Sequence, residues 1–298
     1  MNIIKDLKKL RIGKIKQGKE LKNFTTYKVG GMPICIILPD NEQKLIPLIK
    51  YLRENSIKFM ILGNGSNVIF NSTNYDGVVI KMDNLNYLKI INNTIIVGAG
   101  YMLNKLAIRV SRLGFTGMEF ATGIPGTVGG ACYMNAGAYK TDMGYITTKV
   151  RVLTPDYQIK YLTNKEMDFH YRTSFLQKNK DYICLGAVIT LRKGDPKAIM
   201  EVINERKARR VETQPLEYPS AGSVFRNPEN DFAGRLIEEI GYKGKCIGGA
   251  KVSEKHANFI INNGNATGED IKKLIGEIKN EVKKKYNIDL KVEQEFIE

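Results

Sequence analysis

Histidine is nearly absent: among 298 residues there are two, His170 and His256. That excludes the histidine-based zinc motifs and most histidine-ligated iron centres, and no metal site is expected. Cysteine is almost as scarce. Cys35, Cys132, Cys184 and Cys246 stand far apart, with neither a paired zinc spacing nor the density of a disulfide framework, which suits a reducing compartment. Long hydrophobic runs are missing too. Stretches such as Ile34–Leu38 fall well short of the roughly 20 apolar residues that cross a bilayer. The N-terminal MNIIKDLKKLRIGKIKQGKELKN has neither the apolar stretch nor the cleavage site of a signal peptide. A cytoplasmic protein, not inserted in a membrane, is expected.

Negative charge is in deficit, with 31 Asp+Glu against 46 Lys+Arg, a formal balance of +15. The excess raises the question of nucleic acid, but its placement argues against it. Nine basic residues fall in the first 28, and a second group, Lys272, Lys273, Lys279, Lys283, Lys284 and Lys285, accompanies Ile271, Leu274, Ile275, Ile278 and Val282 at helical spacing. Those lysines are the wet face of a helix opened by Thr267 as N-cap with Asp270 three places on. No zinc finger or ribonucleoprotein-type aromatic motif is found. No nucleic-acid partner is expected, although a basic surface attracts polyphosphate ligands.

Beyond a basic leader over residues 1–22, short strand patterns alternate with helical ones. Strands are expected at Ile34–Leu38, Phe59–Leu62, Val78–Lys81, Thr94–Val97, Val150–Leu153, Ile159–Leu162 and Tyr182–Leu191. Helices are expected over Glu42–Asn55, where Pro47 should kink the helix or move its start, and over Met102–Leu113. RKGDP at Arg192–Pro196 reads as a break, followed by a helix Ala198–Arg210, a strand Asn258–Ile261, the C-terminal helix and a strand Leu290–Ile297. The alternation is not that of regular parallel-sheet units. A boundary is expected near residue 192.

Two glycine loops stand out. Gly63-Asn64-Gly65-Ser66-Asn67 follows the strand-like FMIL, and Gly123-Ile124-Pro125-Gly126-Thr127-Val128-Gly129-Gly130 lies further on. Such loops turn with positive φ and aim backbone N–H groups at one spot, which suits a pyrophosphate. A tight turn beside a sheet edge would explain one of them; two in one domain favour phosphate binding. Val68 replaces the third glycine of the Rossmann fingerprint and no Walker lysine follows, so the dinucleotide would be held outside both folds.

GNGSNVIF, GIPGTVGGACYMNAGAY, FHYRTSF, AGSVFRNP and KVSEKHANFIIN together resemble the successive signatures of the UDP-N-acetylenolpyruvoylglucosamine reductases, flavoenzymes of peptidoglycan precursor synthesis, in their order and over roughly residues 22–298. The resemblance implies an α+β chain: a two-subdomain FAD-binding region of the vanillyl-alcohol-oxidase (PCMH) type over residues 23–192, divided near 82, then an α+β substrate-binding domain over 193–298. It implies FAD bound non-covalently, NADPH as hydride donor and UDP-N-acetylenolpyruvoylglucosamine as substrate. A monomer with no obligate protein partner is expected. Fifty residues lie between Arg172 and Ser223, which resembles the shorter subclass lacking an inserted tyrosine loop.

By the same resemblance, Arg172 is the catalytic arginine, whose fork holds the substrate carboxylate as charge develops. Ser223 is the proton donor to the carbanionic carbon, and Glu295 the acid at the carboxylate, which partial burial would keep protonated. Glu293 and Glu298 flank Glu295 closely enough to compete for its assignment. Gly63, Asn64, Gly65, Ser66, Asn67, Gly123, Ile124, Pro125, Gly126, Thr127, Gly130 and Arg210 are the implied cofactor contacts; Tyr139 and Asn227 are the implied substrate contacts. His256 is expected to be structural. Two departures from the family pattern are Ile297, where a basic residue is common, and Lys140, where glycine is. The rivals are a flavin oxidase of the same cofactor fold and a basic RNA-associated protein. No histidine lies beside the glycine loops to tether FAD, which lowers the first.

Overall fold

The computed structural model describes residues 3–71 and 73–298. Pro33–Pro39 (PICIILP) owes its extended form to β-branched isoleucines with prolines confined to its ends. It belongs to a four-stranded sheet ordered Gly13–Lys16, Pro33–Pro39, Tyr75–Lys81, Phe59–Leu62. The first pair is antiparallel, with Ile15 opposite Ile37, and the last is parallel, with Ile61 opposite Ile80. Helix Glu42–Glu54 buries Leu45, Leu48, Ile49 and Leu52 in one cluster with Cys35, Ile37, Val78 and Ile80. Asn41 caps it, its Oδ1 accepting the Lys44 N–H at 3.0 Å. Pro47 does not displace the start. It sits inside the helix, where it forfeits a single i→i−4 bond.

A five-stranded sheet follows, ordered Ile159–Thr163, Thr147–Leu153, Ile183–Thr190, Thr94–Gly98, Leu88–Ile91, and every neighbour pair in it is antiparallel. Helix Leu103–Arg112 lends Leu103, Leu106, Ala107 and Val110 to the core that this sheet's Val150, Val152, Ala187 and Ile189 also build. The expected break at Arg192–Pro196 is two structures. Arg192–Lys193 pairs with Phe115–Thr116, and Asp195-Pro196 starts the helix Pro196–Thr213, the aspartate capping Lys197 and Ala198 N–H groups at 3.3 and 3.1 Å.

A three-stranded antiparallel sheet, Cys246–Ile247, Ala250–Val252, Ile260–Asn262, packs with helices Ala233–Glu239 and Gly268–Tyr286. The longer helix opens on the expected capping box between Thr267 and Asp270. The final strand is shorter than its pattern suggested, Glu295–Ile297, because it pairs only with the three residues Val68–Phe70.

Packing divides the chain into two compact units, neither contiguous: the N-terminus to Gln17, Ile34–Asn64 and Gly77–Lys207 in one, and Gly18–Pro33, Gly65–Asp76 and Ala208–Glu298 in the other. The sequence patterns suggested contiguous domains. The second unit recruits early residues because Val68–Phe70 takes Glu295–Ile297 as its parallel partner, and because buried Tyr27 donates to Gln294 Oε1 at 3.2 Å. The basic leader is folded structure. Met1 and Asn2 lie outside the described residues, but Ile3–Lys9 is helical, and Leu7 and Ile12 are fully buried in the first unit.

Candidate active site

In the first unit, strand Phe59–Leu62 delivers Gly63 and Asn64. A Cβ on Gly63 would stand 2.6 Å from Thr127 Oγ1, so glycine permits the two glycine loops to approach this closely. Asn64 ties them together, its Nδ2 donating to the Pro125 carbonyl at 2.6 Å. The second loop runs from Gly123 and Ile124 through Pro125 and Gly126 to Thr127, whose Oγ1 accepts the Gly130 N–H at 3.4 Å and opens helix Val128–Met134. The N–H groups of Asn64, Gly126 and Thr127 donate to no acceptor among the described residues. Beneath Gly63 lies Lys81, its side chain 8% exposed, with Nζ donating to the Gly63 carbonyl and 3.3 Å from Asp83. Burial pushes the Lys81 ammonium below its ordinary value, against the opposing pull of Asp83. Unspent donors on joined loops above a buried cation fit a diphosphate, so the residues present suit FAD's pyrophosphate.

Arg172 is held in the left-handed region at φ 54° by a reciprocal backbone bridge between His170 and Thr173, both bonds 3.0 Å. Its carbonyl accepts Gln177 Nε2 at 3.0 Å, and its Nη2 donates to the Gly137 carbonyl at 2.8 Å. The guanidinium also lies over the Tyr171 ring, 5.1 Å from its centre. Gly137–Ala138 and Thr141–Asp142 form a hairpin whose two-residue turn is Tyr139-Lys140, at φ 55° and 61°. Two consecutive positive φ values make this a type I′ geometry that favours Asn-Gly, so a side chain at Lys140 is strained. Tyr139 is 40% exposed, and Arg206 of helix Pro196–Thr213 stacks on its ring at 4.3 Å.

In the second unit, Gly65 at φ +64° passes so close to the Phe24 carbonyl that a side chain there would clash. The Gly65 and Ser66 N–H groups also donate to no acceptor among the described residues. Asn67 joins the chain's end, its Nδ2 donating to the Glu293 carbonyl at 3.2 Å and its carbonyl accepting the Glu295 N–H at 2.9 Å. Ser223 begins a segment clamped from both sides. Val224 N–H donates to the Asn258 carbonyl and the Val224 carbonyl accepts Glu293 N–H, at 2.9 and 2.8 Å. Among the described residues, neither the Ser223 hydroxyl nor the Glu295 carboxylate has a protein partner, although the backbone of each is pinned. Of the competing acids, Glu298 pairs with Lys272 at 2.8 Å. Asn227 accepts the Ala233 N–H at 3.1 Å, capping a helix, and Arg210 donates through Nε to Gln214 at 3.0 Å. Ile297 lies opposite Phe70 in the parallel pair. His256 is structural: burial lowers its pKa, and its Nδ1 accepts the Asn258 N–H at 3.2 Å. A cavity of roughly 680 Å³ lined by Tyr145, Thr147, Thr163, Lys165 and Arg192 includes none of the expected site residues.

Residues 214–297 match the family model for the C-terminal domain of UDP-N-acetylenolpyruvoylglucosamine reductase, and residues 33–161 match an FAD binding domain. The chain is 43% identical to the UDP-N-acetylenolpyruvoylglucosamine reductase of Halalkalibacterium halodurans over 99% of its own length and 98% of the relative's. It is 42% identical to that of Bacillus subtilis over the same shares. The chain belongs to the UDP-N-acetylenolpyruvoylglucosamine reductase family. A crystal structure of the Thermus caldophilus reductase superposes with a TM-score of 0.80 at 30% identity, covering 96% of this chain and 98% of that one. A 6-hydroxy-D-nicotine oxidase from Arthrobacter nicotinovorans, at TM-score 0.51 and 14% identity over 62% of this chain and 43% of its own, shares the fold alone.

As a member of this reductase family the chain is an oxidoreductase with an FAD-binding domain. Sequence reading missed three residues that contact or adjoin expected site residues within their own units. Gln294, 4% exposed, donates to the carbonyls of Ala221 at 3.0 Å and Gly222 at 3.2 Å, just ahead of Ser223, while accepting from Tyr27. Period-two spacing of Leu290, Val292 and Phe296, whose inward phase includes position 294, is a signal for it. Lys81 ended an apolar strand pattern without any local sign of burial. Arg206 could not be told from its basic neighbours on the helix.

Proposed function

We propose that the protein reduces the enolpyruvyl ether of UDP-N-acetylenolpyruvoylglucosamine to the lactyl ether of UDP-N-acetylmuramate, with NADPH as electron source, in the cytoplasm. The near-full-length identity to named reductases carries this reading. Bound FAD supplies the two-electron relay between nicotinamide and substrate; Gly63, Asn64, Gly65, Ser66, Asn67, Gly123, Ile124, Pro125, Gly126, Thr127, Gly130 and Arg210 would hold it.

The chain's own residues then manage charge. Adding hydride to the terminal enolpyruvyl carbon leaves negative charge on its neighbour and, by conjugation, on the carboxylate. Arg172 meets that charge with a guanidinium already oriented by Gly137 and Tyr171, so little reorganisation is needed during reaction. Ser223 delivers the proton to the carbanionic carbon, its hydroxyl having no protein partner among the described residues and its segment being clamped through the backbone of Val224. Glu295 is the acid that meets the substrate carboxylate. Tyr139 lines the enolpyruvyl pocket, and Asn227 contacts the substrate diphosphate. Purified protein given the UDP-sugar and NADPH tests the reading by consumption of NADPH matched to lactyl ether formed.

A further inference from the structure

The first glycine loop rests on a group that the proposed reaction does not use. Lys81 closes strand Tyr75–Lys81 in the first unit, and its ammonium is almost removed from water. A buried cation carries a large desolvation penalty unless it is paired and hydrogen-bonded. Among the described residues Lys81 has two partners, the Gly63 carbonyl and the carboxylate of Asp83, the latter at 3.3 Å and itself half exposed. That is modest compensation for a group so enclosed.

The bond to Gly63 also has a geometric consequence. In a trans peptide the carbonyl and the following N–H point in opposite directions. Fixing the Gly63 carbonyl on Lys81 therefore turns the Asn64 N–H away from Lys81. That N–H is one of the donors with no acceptor among the described residues, and the Asn64 side chain ties this loop to Pro125 of the other. We propose that Lys81 is a positioning residue that orients the first glycine loop toward a dinucleotide's diphosphate and balances the charge of that diphosphate. The inference rests on the flavoenzyme reading above and adds a residue to it. Arg206, stacked on Tyr139, has a ring to hold it in place; among the described residues Lys81 has none, and its ammonium is committed to the loop itself.

The test compares ligands that differ in phosphate. Lys81→Met removes the charge at similar volume, and Lys81→Gln keeps a donor for Gly63 without the charge. For each variant and for the wild type, the flavin-free protein is titrated with FAD and with riboflavin, following flavin fluorescence, and its thermal midpoint is recorded. The expected result is a loss of FAD affinity of at least about tenfold in either folded variant, with riboflavin affinity unchanged, because riboflavin has no phosphate to sense Lys81. Should Lys81→Met fail to fold, Lys81→Gln carries the comparison. FAD affinity within about twofold of wild type, or equal losses for FAD and riboflavin, would overturn the inference, the second showing a merely structural lysine. Wild-type protein that bound neither flavin would instead overturn the reading on which the inference rests.

Discussion

Arg172 donates one guanidinium N–H to the Gly137 carbonyl at 2.8 Å, so the side chain proposed to meet developing negative charge is anchored before any substrate arrives. The backbone that carries this side chain is itself strained at φ 54°. Strain of this kind costs on the order of 1–3 kcal/mol and persists where the surroundings impose it.

Arg172→Lys keeps the charge and loses the planar fork, so it separates orientation from electrostatics. Turnover of the enolpyruvyl substrate is expected to fall by about 10²–10³, the scale of a lost transition-state donor. Flavin reduction by NADPH, measured alone in a stopped-flow trace, should stay at the wild-type rate. Equal loss in both half-reactions would remove Arg172 from charge stabilisation.

Ser223→Ala leaves the clamp of Val224 between Asn258 and Glu293 untouched, since those bonds are all main-chain at residue 224. The expected effect is confined to proton delivery, about 10²–10⁴ in the substrate half-reaction. Glu295→Gln should also spare reduction by NADPH, while Glu298→Gln, which loses an exposed pair with Lys272, should leave both half-reactions intact. Activity lost at Glu298 and retained at Glu295 would move the acid's assignment.

Lys140 occupies the second position of a type I′ turn at φ 61°. Lys140→Gly relieves the left-handed penalty while adding freedom to the unfolded chain, for a net gain of about 1 kcal/mol. A denaturant midpoint that rises without a change in slope would show it. An unchanged or lowered midpoint would mean the turn is not strained in solution.

Much of this architecture is legible in sequence where the signal is local. Thr267 and Asp270 announce their capping box, the isoleucines of Pro33–Pro39 their strand, and Gly63-Asn64-Gly65 its turn. The missing parts depend on residues far apart. Nothing in VIF at 68–70 names Glu295–Ile297 as its parallel partner, so the discontinuous second unit was hidden. Lys81 reads as an exposed strand end because burial of its side chain is set by Gly63 and the surrounding sheet. Asp195-Pro196 carries both turn and helix-start chemistry, and only the fold decides between them.

His256 gives a pH dependence of stability. Burial lowers its pKa, opposed by a hydrogen bond to its own backbone and by Glu238 and assisted by Lys243, and its Nδ1 must stay unprotonated to accept the Asn258 N–H. Below about pH 6.5 the unfolded chain takes up a proton that the folded chain resists, so stability falls with acidification until the folded-state pKa is passed. His256→Gln should flatten the plot of unfolding free energy against pH between about 7 and 5. Identical slopes for variant and wild type would contradict this.

The most direct measurement follows NADPH absorbance in purified protein before and after addition of UDP-N-acetylenolpyruvoylglucosamine, with the flavin released on denaturation identified. The predicted result is free FAD from the protein and NADPH oxidation that starts with the UDP-sugar and stops when its enolpyruvyl group is consumed. Protein that releases no FAD, or that oxidises NADPH at one rate with and without the UDP-sugar, would contradict the reductase reading.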